Sequence, residues 1–381
     1  MWQGFVCVLR LHESEQRATM MRAGTTWLVV VTLALVANAA FGDILTVKHA
    51  HGDLRLFGSL QTYYASYEED LGADTFDLRR ARLDVDGHVY DKVYFFLEAD
   101  LLGNPQLLLA SVTFKLPHLD LRFGQQWKPV SWEAKHSSRT LPFIGYSLPT
   151  AYFLANKVCF IDIGARATLH FERDDFTMFL LEGGVFNGTG INTSDDNDQK
   201  DWVVRTAIQP IKGISFIGNY TYGTYGAKSV PDTDPLCGHA NYQQYSAGFV
   251  VDYHGLDLAG EWIGMHRDYL QNKANLAPDN KAWDNYGFYV HVGYKINTGY
   301  DYFQEVEPVV RYEYLDSSRE VAGDLQRAVT CGVNVAIDKH YARFQVNYVA
   351  NLDDSCAYDP VTSPYGKQAN NVLAAMLLLT F

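Results

Sequence analysis

Charged residues recur at alternate positions in several stretches of the chain: Arg80, Arg82, Asp84, Asp86 and His88; Glu98 and Asp100; Asp120 and Arg122; Asp162 and Arg166; Glu305, Glu307, Arg311 and Glu313; and Arg343. A spacing of two puts side chains on one face of a β-strand. Opposed rows of guanidinium and carboxylate create a transverse field that orders hydrated solutes without holding them tightly. The bland reading of the same residues is a set of salt bridges that stiffen a wall. A second group, Lys128, Glu133, Lys135, His136 and Arg139, lies in a segment without alternation. Nothing here resembles a catalytic set. Ser137 follows His136 directly, and sequence adjacency does not make a triad. His136, His239, His266 and His340 are scattered, and Cys159, Cys237, Cys331 and Cys356 have neither a CxxC nor a zinc spacing. No catalytic residue, metal or cofactor is expected, and no enzyme.

The elements that must carry these charges follow from hydrophobic periodicity. After Asp43, apolar and polar residues alternate to the last residue, in segments 53–67, 75–90, 92–103, 107–116, 118–127, 158–172, 175–187, 201–210, 213–224, 241–254, 256–268, 283–296, 302–316, 325–337, 340–351 and 370–381. That is an even number of two-faced strands. Their connections alternate in length. Asp91, Pro117, Ile211-Lys212 and Asp338-Lys339 are tight turns, whereas 128–157, 188–200, 225–240, 269–282, 317–324 and 352–369 are long. Short turns at one end and long loops at the other describe an outer-membrane barrel and not a soluble sandwich. In 158–172, Ile161, Ile163, Ala165, Ala167, Leu169 and Phe171 share one face, and Asp162, Gly164, Arg166, Thr168 and His170 the other. Faces this charged cannot form a dry core, so they predict a water-filled lumen. The fold class is therefore all-β, a transmembrane antiparallel barrel of about 16 strands. The tyrosines near strand ends, among them Tyr63, Tyr64, Tyr67, Tyr286, Tyr289, Tyr312 and Tyr314, are expected in the aromatic girdles.

Composition agrees. Aromatics make up 14% of the 381 residues, and the formal charge of -13 excludes a general nucleic-acid binder. From Met20-Met21-Arg22 a short apolar run leads to Ala37-Asn38-Ala39-Ala40, which reads as a secretory signal peptide over 20–42. Residues 1–19 carry mixed charge ahead of it and read as the product of an upstream start codon. Residues 43–381 form one barrel domain. Export sends the cysteines to an oxidising compartment, where a bridge among Cys159, Cys237 and Cys356 is open, while Cys331 falls on the lipid phase.

At Phe76-Asp-Leu-Arg-Arg-Ala-Arg-Leu-Asp-Val-Asp-Gly87, then Leu121-Arg-Phe-Gly-Gln-Gln-Trp-Lys-Pro129, Ser137-Ser-Arg139, Ser147-Leu-Pro149 and Ile163-Gly164, the chain resembles the phosphate-selective porin O/P family. These matches cover about residues 54–170. Beyond them the resemblance is one of architecture and of the terminal Phe381, which is similar to the signal read by the barrel assembly machinery. The resemblance implies a sixteen-stranded barrel, commonly trimeric, in which small solutes diffuse through a loop-narrowed pore. The longest connection, 128–157, would be that constriction loop, and Trp127, Trp132, Leu141, Phe143, Ile144, Tyr146, Tyr152 and Phe153 are too apolar for a solvated loop.

The expected function is a porin of the Gram-negative outer membrane, in contact with lipid and lipopolysaccharide and passing small hydrophilic solutes or inorganic ions. The selecting residues are expected to be Arg80, Arg82, Glu98, Asp100, Arg122, Lys128, Lys135, Arg139, Asp162, Arg166, Glu305, Glu307, Arg311, Glu313 and Arg343. Loss of residues 1–42 removes Arg10, Arg17 and Arg22 but also Glu13 and Glu15, leaving the mature chain at -14. That acidic balance predicts weak selectivity and not a dominant phosphate preference. The other readings are a surface adhesin or structural barrel, and a barrel enzyme.

Overall fold

The computed structural model describes residues 45–67, 74–155, 161–225, 240–267, 283–319, 324–338, 341–353 and 371–381. The signal region, Cys159, Cys237, Cys356, His239 and His340 lie outside them.

Alternating polarity produces long antiparallel strands in this order: β1 Gly52–Tyr67, β2 Thr75–Val89, β3 Val93–Asp100, β4 Gln106–Leu116, β5 Leu119–Trp127, β6 Ile161–Arg173, β7 Phe176–Phe186 and β8 Asp201–Ile211. There follow β9 Ile214–Tyr225, β10 Ala240–Tyr253, β11 Leu256–Arg267, β12 Trp283–Tyr294, β13 Glu305–Asp316, β14 Leu325–Asp338, β15 Ala342–Asn351 and β16 Val372–Thr380. Each pairs with its chain neighbours, and β16 closes on β1 from Val372↔Tyr67 to Thr380↔Ser59, giving a closed 16-strand antiparallel barrel. A two-residue strand, Ile296–Asn297, prolongs the β12 edge against β13. The sequence reading missed an N-terminal arm at Leu45–His49 that pairs with β1. Its five residues lie beyond the signal region and are too few to show a period.

Tight turns such as Tyr90-Asp91 and His118 use positive φ at non-glycine residues. At these hairpins the twist of the turn must match that of the strands. Closure is tight where the last residue meets the first strand. Phe381 and Gly58 exchange backbone bonds of 3.0 and 2.6 Å, and a Cβ at Gly58 would stand 2.7 Å from the Arg82 carbonyl and 2.9 Å from the Phe381 ring. Gly58→Val is therefore expected to lower the yield of folded barrel, read as loss of the heat-modifiable band on a gel, while Gly58→Ala has a smaller effect.

The two faces follow the alternation. Leu169, Phe171, Trp202, Val310, Tyr312, Cys331 and Leu373 point outward and are exposed, while the opposite phase is buried. Tyr63 and Tyr289 depart from expectation. Both lie on the lumen phase and are buried, at 5% and 0% exposure, so they are not girdle residues. Tyr286 and Tyr314 keep the outward role, their rings 5.8 Å apart. The lumen is also less open than charged inner faces suggested. The long loop after β5 fills much of it and supplies partners that water alone was expected to provide.

Candidate functional site: a loop-narrowed lumen

The loop carries two helical turns, α1 at Trp132–Lys135 and α2 at Leu148–Ala155. Ser131 caps α1, its hydroxyl accepting from Ala134 N. Apolar residues Val130, Ala134, Leu148, Ala151 and Phe153 then pack on lumen-phase residues Phe186, Val203, Ile263, Met265, Leu315, Val349 and Val372. This explains why β16 is apolar on both faces: Ala374 and Met376 meet Ile144 and Tyr63 inside, and lipid covers the other side.

Most of the lumen's buried acids bind this loop. Glu261 accepts from the Ser131 hydroxyl at 2.8 Å and from Trp132 N at 3.1 Å. Glu133 accepts from Ser147 N at 2.9 Å and receives an Arg311 guanidinium nitrogen at 3.1 Å. Glu313 accepts from Leu148 N at 2.6 Å and lies 3.0 Å from Arg311. Lys128 and Tyr242 both donate to Asp201, at 2.5 and 2.6 Å. Below them, Arg343 donates to the Arg139 and Leu141 carbonyls at 2.7 and 3.0 Å, Asn334 to the Pro142 carbonyl at 2.9 Å, and Ile144 N to Asn347 at 2.8 Å. Buried ions tolerate this environment because each is paired or hydrogen-bonded.

These anchors tie the loop to β8 and to β10–β15, and leave the passage along β2–β7. The side chains there are different. Arg82 lies 2.9 Å from Glu98 and 3.5 Å from Asp100, and Arg80 lies 3.8 Å from Asp100. Arg139 reaches from the loop to Asp84 at 2.6 Å and Glu98 at 3.1 Å. Further round, Glu182 alone receives Lys135, Arg166 and Arg205, at 2.7, 3.2 and 2.6 Å. Arg122 donates to the Thr113 hydroxyl at 2.9 Å. A register shift in β1–β2 pairs Gln61 with Arg80 and Thr62 with Leu78, and Arg79 donates to buried Gln61 at 3.0 Å. Cations therefore outnumber carboxylates around this gap.

The expected site residues separate into groups. Arg80, Arg82, Glu98, Asp100, Arg122, Lys135, Arg139 and Arg166 are brought together on the inner faces of β2–β6 and the facing part of the loop. Lys128 at 1% exposure, Arg311 at 1%, Glu313 at 0% and Asp162 at 0% are corrections, because they are sealed behind or beneath loops and cannot line a pore. Asp162 accepts from Gly188 N, which holds the next loop, 187–200. Glu305, Glu307 and Arg343 lie on a separate cavity of about 280 Å³ shared with Lys295, Asp257 and Arg139. Arg79, Glu182, Arg205, Lys295 and Asp257 were missed. Strand phase identifies the last four, whereas Arg79 needed the bulge, which breaks the phase.

On the loop, outside the spanning strands, burial and the neighbouring guanidiniums of Arg205 and Arg166 push the Lys135 ammonium down to about 7, against the pull of Glu182. It is charged below that value and neutral above. Raising the pH from about 6 to about 8 is expected to weaken any preference for anions, measured as reversal potential in a salt gradient, and Lys135→Met to remove that pH dependence.

A closed sixteen-stranded barrel narrowed by a loop folded into its lumen is the architecture of outer-membrane porins. The model of the phosphate-selective porin O and P family matches residues 53–234, a longer stretch than the motifs quoted above. OmpT of Vibrio cholerae, an outer membrane protein, is similar in structure with a TM-score of 0.62 and 13% identity, over 88% of this chain and 99% of that one. An anion-selective porin from Comamonas acidovorans gives 0.60 and 14%, over 87% and 100%. Salmonella typhi OmpF gives 0.61 and 13%, over 88% and 100%. No curated protein sequence matches the chain.

Proposed function

We propose that the chain is a passive, non-enzymatic diffusion channel whose eyelet prefers small hydrophilic anions, and that it is exported by residues 20–42 and acts as a homotrimer. One observation carries the preference: Glu261 and Glu313 bind the loop and Glu133 bonds within it, so these three acids are withdrawn from the passage, while Arg80, Arg82, Arg122, Arg166 and Arg205 stand along it. Net charge describes a whole molecule, whereas ions in a constriction respond to groups within about a Debye length, 8 Å at physiological salt. The acidic balance thus argues less strongly for weak selectivity than it did on sequence alone. The Comamonas porin, anion-selective by description, and the trimer form of Vibrio OmpT support the reading by analogy of fold.

The test is reconstitution of the purified chain in planar bilayers. Stepwise conductance with a reversal potential of anion sign is expected in a KCl gradient. Folded protein that never conducts would refute the channel, and a reversal potential of cation sign would refute the preference. Crosslinking in detergent reads the trimer, and N-terminal sequencing of the membrane form reads cleavage.

A further inference from the structure

The periplasmic half of the lumen contains a cavity of about 1140 Å³ against β1–β5, lined among others by Arg55, Asp86, His88, Tyr94, Phe96, Thr113, Lys115 and Arg122. Its rings need an explanation. Aromatic side chains on the water-facing phase of a porin are expected to be covered, and Tyr63, Phe186, Tyr242 and Tyr289 are, at 5%, 0%, 2% and 0% exposure. Tyr94 and Phe96 lie on the same phase, opposite Thr113 and Ser111, but among the described residues no loop covers them and both remain partly exposed. Phe57 stands nearby on β1, with the guanidiniums of Arg55 and Arg139 at 5.8 and 5.9 Å from its ring.

The charges around these rings are unequal. Asp86 is engaged by Arg55 through two bonds of 2.8 and 2.5 Å, and Asp53 by His88 at 2.7 Å. Lys115 is exposed, its ammonium 4.4 Å from the Tyr94 ring centre, and Arg122 donates to a neutral hydroxyl. Among the described residues neither Lys115 nor Arg122 is bridged to a carboxylate. Two rings and two such cations on adjoining strands suit a planar ring that carries one negative charge. A neutral sugar would not need the cations, and a simple inorganic anion would not need the rings.

We propose that this vestibule is a weak subsite for aromatic carboxylates, with the solute's ring against Phe96 and Tyr94 and its carboxylate on Lys115 and Arg122. The proposal rests on the channel reading and names a solute class for it. A solute that passes the cationic eyelet meets the subsite on the way to the periplasm, where stacking prolongs its stay without closing the path.

The experiment uses the full chain in planar bilayers, where conductance in KCl alone first checks the channel reading. Sodium benzoate, sodium acetate and benzyl alcohol are then titrated on both sides. Benzoate should reduce the chloride current saturably, with half-saturation about tenfold below that of acetate, as expected for a ring contact added to the same charge. Benzyl alcohol should have little effect. Phe96→Leu and Tyr94→Leu should bring benzoate toward acetate, and Phe114→Leu on the lipid face should leave the ratio unchanged. Equal half-saturation for benzoate and acetate, equal reduction by benzyl alcohol, or an undiminished ratio in Phe96→Leu would overturn the subsite. Should the ring variants not fold, Lys115→Gln at the exposed rim decides: weaker benzoate reduction supports the proposal, and unchanged reduction rejects it.

Discussion

Arg311→Ala should raise single-channel conductance severalfold and flatten ion selectivity while the barrel still folds. Arg311 lies on β13 at 1% exposure, 3.1 Å from Glu133 and 3.0 Å from Glu313, donating to the Gly145 and Tyr146 carbonyls and standing 4.3 Å from the Phe143 ring centre. Removing it leaves two buried carboxylates without their cation, a loss of about 3–5 kcal/mol for a broken buried pair. That loss falls on the loop and not on the wall, because the wall is held by backbone bonds that the side chain does not make. The loop should detach near 145–148 and open the eyelet. Arg311→Lys should be intermediate, since an ammonium restores charge but not the planar fork that reaches both acids. The measurements are conductance in KCl and gel mobility without boiling. Wild-type conductance in Arg311→Ala would show that the remaining anchors hold the loop without it.

The second large effect is expected from reversing charge on the open side. Arg80→Glu with Arg122→Glu replaces two cations with two anions beside Asp100 and Asp120, and the reversal potential in a KCl gradient should change from anion sign to cation sign. Arg80→Gln with Arg122→Gln should reduce the potential without inverting it. The shift should be greatest at low salt, because screening shortens the reach of each group as ionic strength rises. The same reversal at Glu305 and Glu307, which lie on the smaller cavity beneath the loop, should have a weaker effect. If the two pairs act equally, the passage does not run along β2–β7.

Much of the wall was legible because a strand in a membrane barrel is a local object. Its period is two, one face meets lipid, and turn length alternates, so β6 could be read from Ile161 to Phe171 residue by residue. The lumen phase of Arg80, Glu98, Arg122 and Arg166 came from the same rule. The rule failed where local order broke. The shift at Arg79 turned an additional guanidinium toward Gln61, and adjacent Gln125 and Gln126 on β5 are both buried, Gln125 donating to the Leu107 and Leu108 carbonyls. Tyr63 and Tyr289 were assigned to girdles by residue type, although their phase pointed inward.

The sequence by itself determined the barrel, its sixteen long strands to within three residues at each end, the closing Phe381 and the apolar character of the loop, since each depends on neighbours a few residues apart. Tertiary structure alone decided what the lumen charges do. Glu261 meets Ser131 across 130 positions, and Glu313 meets Leu148 across 165. No periodicity reports such distances. Whether a carboxylate faces the lumen or the backbone of a folded loop is decided by where the chain returns.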